Sequence, residues 1–186
     1  MPFPAMNPYY HPSTPLVPGS LHRLSAERDN CGMGAIANIH GKRSYQIVDF
    51  ALCSVCNMTH RGAVDADMKT GDGSGILSQI PYPIFLKAAE ALGTKLEHES
   101  DLAVAVFFLP LEDRAGQQQL KALAEETVTK RGITIIGWRE VPVDPDALGK
   151  LALATRPHIE HLLLKRPEGW GTDHFERQLF LFRRTI

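Results

Sequence analysis

Apolar positions along the chain change their period several times, and each change marks an expected element. Met33 to Ile39 is apolar on both faces apart from Asn38, the pattern of a strand buried on both sides. His40-Gly41-Lys42 reads as a turn. Beyond it Ile47, Val48, Ala51, Leu52, Val55 and Met58 recur at helical spacing and predict a helix over roughly 45–59, capped by Ser44. Gly75 to Ile80 predicts a second buried strand beside the first. Pro81-Tyr82-Pro83 opens a helix over 83–92 that Gly93 ends, and a polar connection follows. Leu102 to Leu109 is the most apolar strand. A long helix runs from the cap Asp113 to about Lys130, with Leu120, Leu123, Ala124 and Val128 on its inward face and Gly132 as its stop. Then come a strand over 133–141, a short helix over 146–154, a strand over 157–165 and a helix opened by Asp173. That last helix reaches Ile186 without a cap. Nothing follows to cover Phe175, Leu179 and Phe182, so the pattern predicts a sticky exposed face and a chain cut within a larger domain. Strands alternate with helices, which by itself suggests an α/β sheet of undetermined direction.

Composition changes this picture at one end. Six prolines fall within the first eighteen residues, with no periodicity, so residues 1–30 read as an extended leader. The leader lacks the basic start and apolar core of an export signal, and is either an ordinary terminus or a removable pro-segment. The chain has 186 residues, 44% hydrophobic and 22% charged, ordinary for a soluble domain with a real core. A net charge of −1 implies neither a nucleic-acid nor a membrane surface, and no apolar run reaches membrane-spanning length. Three cysteines argue against a disulfide framework and for a reducing compartment, with the cytoplasm as default. Cys53 and Cys56 have a C-x-x-C spacing but lie inside an unbroken helical pattern with no ligand-spaced partner, so they read as small core residues rather than a metal or redox pair.

Candidate chemistry is concentrated between Arg28 and Gly75. In Arg28-Asp29-Asn30-Cys31-Gly32-Met33-Gly34, glycines after the thiol let a backbone pass close to the sulfur. Cys31 is a candidate nucleophile that needs a base; taken alone, a small buried residue is the simpler reading. If the chain were cut after Asn30, the α-amino group of Cys31, with a pKa near ~7.7–8.0, would be that base. The second dense stretch runs from Thr59 to Gly75. Gly71, Gly73 and Gly75 predict a tight loop whose N–H groups face a ligand, and Arg61 suits a carboxylate or a loop clamp. Ile76 and Leu77 follow the last glycine where a phosphate cradle would carry Lys and Ser or Thr, which excludes that motif. His60 and Asp65 could complete a Cys-His-Asp arrangement, or His60 could simply sit at a helix C-terminus.

Arg28-Asp29-Asn30-Cys31-Gly32, His60-Arg61-Gly62-Ala63 and Lys69-Thr70-Gly71-Asp72-Gly73 together resemble the glutaminase domain that opens the glutamate synthase large subunit, a class II, N-terminal-nucleophile glutamine amidotransferase. The similarity continues through Gly137-Trp138-Arg139-Glu140-Val141-Pro142, Gly169-Trp170 and Phe175-Glu176-Arg177-Gln178-Leu179. It implies an α+β fold, a four-layer αββα sandwich of two antiparallel sheets, incomplete at the C-terminus of this chain. It implies that residues 1–30 are a propeptide and that 31–186 are the N-terminal part of the amidotransferase domain. Cys31 matches the nucleophile, Arg61 and Gly62 the loop against it, and Asp72 and Gly73 the glycine turn near the same pocket. No metal is implied here. FMN and a [3Fe–4S] cluster belong to the full-length enzyme and no cofactor to this segment. The implied partners are glutamine, the remaining synthase domains and a small electron-donating subunit. The family's His-Asn-Gly-Glu motif, which carries its oxyanion donors, does not occur in the chain. A truncated non-catalytic module, or another N-terminal-nucleophile amidase, remains as an alternative.

Overall fold

The computed structural model describes residues 32–58, 67, 69–71 and 73–186. The chain divides into two compact units, residues 1–63 and 64–186.

The described part of the first unit is an extended segment followed by helix α1, Tyr45–Asn57. The turn at Gly41 has a left-handed φ of 66°, and the Gly41 N–H donates to the Asn38 carbonyl at 2.9 Å. Two expectations are corrected here. Residues 32–38 form no strand, and Met33 and Ile39 are exposed. A strand needs a ladder partner, and none pairs with this segment among the described residues. Helix α1 forms as expected but has no fully buried residue, and Cys53 and Cys56 are exposed rather than core. Ser44 occupies the N-cap position without a side-chain bond.

The second unit is built on three strands, β1 (Leu102–Leu109), β2 (Thr134–Glu140) and β3 (His158–Lys165), in spatial order β1-β3-β2. Both pairings are antiparallel, from Leu102↔Lys165 to Leu109↔His158 on one side and Thr134↔Lys165 to Glu140↔Glu160 on the other. The edge strands β1 and β2 are therefore parallel to each other, joined by helix α3 (Arg114–Lys130). The alternation of strands and helices left this direction open. The predicted strand over 75–80 is absent: residues 73–80 have no regular structure, and Ile76 and Leu77 are exposed. This segment, too, has no strand to pair with among the described residues.

Period-two alternation along β1 and β3 sends side chains to two cores. On one face Ala103, Leu162 and Leu164 meet Ala124 and Val128 of α3, with Phe175 and Phe182 of α5 (Thr172–Thr185). On the other, Leu102 and Leu163 meet Phe85 of helix α2 (Tyr82–Ala91). Each fully buried Leu or Phe contributes about 1.5–3 kcal/mol relative to exposure. The expectation that Phe175, Leu179 and Phe182 would be exposed is wrong. Phe175 and Phe182 are buried and Leu179 packs against them, because the preceding sheet covers that side of α5. The inward face of α3 is also rotated from the expected one. Gln117, Ala124 and Val128 are buried, while Leu120 and Leu123 point outward. Gln117 satisfies its amide by donating to the Pro110 carbonyl at 2.6 Å.

Several motif residues hold this unit together. Gly137 sits at a bulge in β2 with φ 152°, and a Cβ there would lie 3.2 Å from Leu92 Cδ1. Trp138 Nε1 donates to Glu125 Oε1 at 2.6 Å, and Lys121 lies over its ring. Lys121 Nζ also pairs at 2.7 Å with Glu160, a buried carboxylate on β3. Arg166 binds Asp101 at 2.6 Å, tying the end of β3 to the entry of β1. Gly93 and Gly132 end α2 and α3 with left-handed φ, as their positions predict. The helix expected over 146–154 is instead a 3-10 turn at Pro145–Ala147 followed by helix α4, Lys150–Thr155.

Candidate active site

Of the residues singled out by sequence, Cys31, Arg61, Gly62 and Asp72 lie outside the described residues, as do His60 and Asp65. Gly73 is described. The structure therefore shows the shoulder of the Lys69–Gly73 loop and what anchors it.

Asp67 is the hub of that anchor. Its Oδ1 accepts from the backbone N–H of Lys69 at 3.0 Å and of Thr70 at 2.6 Å, the local turn that a short carboxylate favours. Its Oδ2 accepts from the Thr70 hydroxyl at 2.6 Å. The same oxygen accepts from the Leu151 N–H at 3.4 Å, and Thr70 Oγ1 accepts from the Ala152 N–H at 3.4 Å. Leu151 and Ala152 stand in the first turn of α4, where N–H groups have no partner within the helix. Gly149, the N-cap of α4, has no side chain to supply one, so the loop caps the helix instead. A Cβ on Gly149 would fall 2.5 Å from Thr70 N and 2.6 Å from Asp67 Oδ2. Lys69 Nζ adds a bond to the Asp146 carbonyl at 2.8 Å. The hydrogen bonds from the Thr70 hydroxyl, then from the Thr70 and Lys69 N–H groups, hold the Asp67 carboxyl well below the usual carboxylate range.

The glycines that follow differ from their expectation. Gly73 and Gly75 have no left-handed φ, and a Cβ at either would meet nothing within 4 Å. Among the described residues, no packing requires glycine at these two positions. An open groove of about 650 Å³ elsewhere in this unit is lined by Phe108, Leu111, Leu120 and Arg156, and Gly73 does not border it.

Residues 31–186 match the family profile of the class II glutamine amidotransferases, so the match begins on the candidate nucleophile itself. The chain belongs to the class II glutamine amidotransferases. It is 39% identical over 163 residues to a ferredoxin-dependent glutamate synthase 2 of Synechocystis sp., covering 88% of this chain and 10% of that protein. It is 38% identical over 160 residues to the NADPH glutamate synthase large chain of Azospirillum brasilense, covering 86% of this chain and 10% of that one. With the NADH glutamate synthase of Schizosaccharomyces pombe it shares 37% identity over 174 residues, 89% of this chain and 8% of that protein. The chain thus spans about a tenth of the length of the curated relatives it matches.

In this amidotransferase chain, sequence reasoning marked Lys69, Thr70 and Gly71 as loop residues but passed over Asp67 and Gly149. Asp67 had a usable signal: a carboxylate two and three residues ahead of free N–H groups is a turn-former. Gly149 had none, since its partner lies far away in sequence. Among the described residues no group of three His, Cys, Asp or Glu side chains is placed to hold a metal ion, and no helix is long and apolar enough to cross a membrane.

Proposed function

We propose that residues 31–186 open the glutaminase unit of a glutamate synthase, and that the mature unit starts at Cys31. The observation that carries this reading is the family match, which begins at residue 31. Removal of residues 1–30 would free the Cys31 α-amine. That amine takes the thiol proton, and the thiolate attacks the side-chain amide carbon of glutamine. The C–N bond breaks, ammonia leaves with the returned proton, and water hydrolyses the thioester to glutamate. Arg61 and Gly62 brace the loop against the nucleophile, and Asp72 and Gly73 form a turn beside the same pocket. The ammonia then serves amination of 2-oxoglutarate elsewhere in the synthase. FMN and a [3Fe–4S] cluster belong to that remote chemistry. The described residues, lacking a three-ligand group, do not fit an iron–sulfur cluster. The remaining synthase domains are the partners in this reading, with a small electron-donating subunit, in the cytoplasm.

The four-layer sandwich is part of the proposal. Its support is an antiparallel sheet covered by α3 and α5 on one face and by α2 over only part of the other. Val106 and Phe108 stay exposed there, Phe108 by 69%, where a second sheet would pack.

N-terminal sequencing and intact mass of the natural protein test the maturation step. Full activity with residues 1–30 retained would remove the amine-as-base mechanism. Residues 31–186 alone are expected to release no ammonia from glutamine, while a protein extended through a His-Asn-Gly-Glu motif does. The missing oxyanion donors are typically worth ~2.7–4 kcal/mol each. Equal turnover in the two would show that the site is complete within these residues.

A further inference from the structure

We infer that Arg139 is the receiving half of a buried ion pair, whose carboxylate comes from the part of the synthase polypeptide that covers the open face of the sheet. The inference rests on the four-layer reading proposed above and names the chemistry that the cover must bring.

The row Val106–His161–Arg139 crosses all three strands, because His161 of the central strand pairs with Val106 on one side and Arg139 on the other. Residues directly opposite in a ladder share a face. It is the face that α2 covers only in part, where Val106 and Phe108 stay exposed. Arg139 is half-buried there. Its Nη1 donates to His161 Nδ1 at 3.2 Å. A guanidinium has no lone pair to offer, so the ring nitrogen is the acceptor. Burial, then the charge of Arg139, lowers the His161 pKa and keeps that ring neutral. Phe85 of α2 meets His161 edge-on at 5.1 Å, and the guanidinium carbon lies 6.0 Å over the Phe85 ring. The cation therefore rests on two neutral rings. Among the described residues no carboxylate lies within ion-pair distance of it, whereas Lys121 and Arg166 have theirs at 2.7 Å and 2.6 Å. Arg139 is always charged, and within this unit it spends one of its five N–H donors. Water serves the others while the face is open. Once Val106 and Phe108 are covered, water is excluded, and an unpaired guanidinium becomes too costly to keep. Another neutral acceptor would leave the charge uncompensated. The cover must therefore be an apolar segment that carries a carboxylate opposite Arg139. The aligned residues make up 10% of each of two relatives, and the rest of such a polypeptide is its source.

The test uses the complete synthase polypeptide that carries these residues, with Val106→Cys as the parent. The new thiol reports whether the face is covered. Its labelling is read on that peptide by mass spectrometry, against a free cysteine at the same pH. The parent should label at least ~1,000-fold more slowly than the free thiol. At pH 8, adding Arg139→Met keeps an apolar stem but removes the charge, and should speed labelling ~100-fold, because it leaves the carboxylate buried alone. Arg139→Lys keeps the charge and should stay within ~10-fold of the parent. At pH 5.5, Arg139→Met should regain most of its protection, since the abandoned carboxylate, or His161 beside it, then takes up a proton. A stem that merely packs would show no such recovery. Unchanged labelling in Arg139→Met, or a loss that low pH does not restore, would overturn the inference and leave the sandwich standing. Protection that disappears on dilution would place the carboxylate on a second copy, and would overturn it too. A parent thiol that labels as fast as the free one would overturn the sandwich reading and the inference with it. If Arg139→Met does not fold, Arg139→Lys decides: a folded, protected protein upholds the pair, and an unfolded one overturns it.

Discussion

Helices α1 and α3 make an instructive pair. α1, Tyr-Gln-Ile-Val-Asp-Phe-Ala-Leu-Cys-Ser-Val-Cys-Asn, is the more apolar, yet none of its residues is fully buried. α3 is dominated by Gln, Glu, Lys and Thr, yet it buries Gln117, Ala124 and Val128. Apolar content says that a helix has something to hide. It does not say whether a partner is there to receive it. α3 has one: a sheet whose face is already lined by Ala103, Leu162 and Leu164. The helices also differ at their starts, since Asp113 binds the Gly116 N–H and Ser44 binds nothing through its side chain.

This contrast can be broken by mutation. Phe175→Ala removes the ring that α5 sets against the α3–sheet core and should cost about 3–5 kcal/mol in denaturant unfolding. A cost under about 1 kcal/mol would mean that the core of the second unit is not formed. Gly137→Ala must place an L side chain at φ 152° against Leu92, and should cost roughly 1–3 kcal/mol. Asp113→Ala should cost ~1 kcal/mol, whereas Ser44→Ala should cost no more than a few tenths. Equal costs would show that Ser44 caps α1 after all. Cys53 and Cys56, exposed on α1, should react promptly with a thiol reagent under native conditions. Replacing both by Ala should shift stability by no more than about 0.5 kcal/mol each. Slow labelling that speeds up in denaturant would mark them as buried.

The smallest effects concern pH. Asp67 is held below the usual carboxylate range in the folded state. Its stabilising contribution is therefore complete above the unfolded value of ~3.9 and is lost only as pH falls through the lower folded value. Amide protection at Thr70 should persist at about pH 4, where ordinary carboxylates are half protonated. His161 shifts in the same direction, but around a higher pH. Burial first, then the charge of Arg139, lowers its pKa. Below about pH 6.5 the unfolded chain takes up a proton that the folded one refuses. Stability of the sheet unit should fall slightly from pH 8 to pH 5.5, and His161→Gln should flatten that slope.

Much of the second unit was legible because its signals are local. The ranges of β1, β3 and α2 follow from apolar runs, and Gly93 and Gly132 end helices by taking the left-handed φ that other residues avoid. What was not legible depended on partners. Leu120 and Leu123 looked inward by period, but the sheet meets the neighbouring stripe of α3. Residues 33–39 and 75–80 have strand composition and no strand to join among the described residues. The site divides the same way. The motifs around Cys31, Arg61 and Asp72 gave the family, which the profile match shows. The Asp67–Thr70 half of the anchor is written in a three-residue spacing. Its Gly149 half is visible only once the chain has folded back on itself.

The order β1-β3-β2 has a consequence during synthesis. The central strand is the last of the three to leave the ribosome, and β1 and β2 make no ladder with each other. Until Lys165 has emerged, Leu102–Leu109 waits as an unpaired apolar edge through the whole of α3, β2 and α4. At ~5–20 residues per second, that exposure lasts several seconds, during which a nascent chain of this kind is open to chaperones and to pairing with its neighbours.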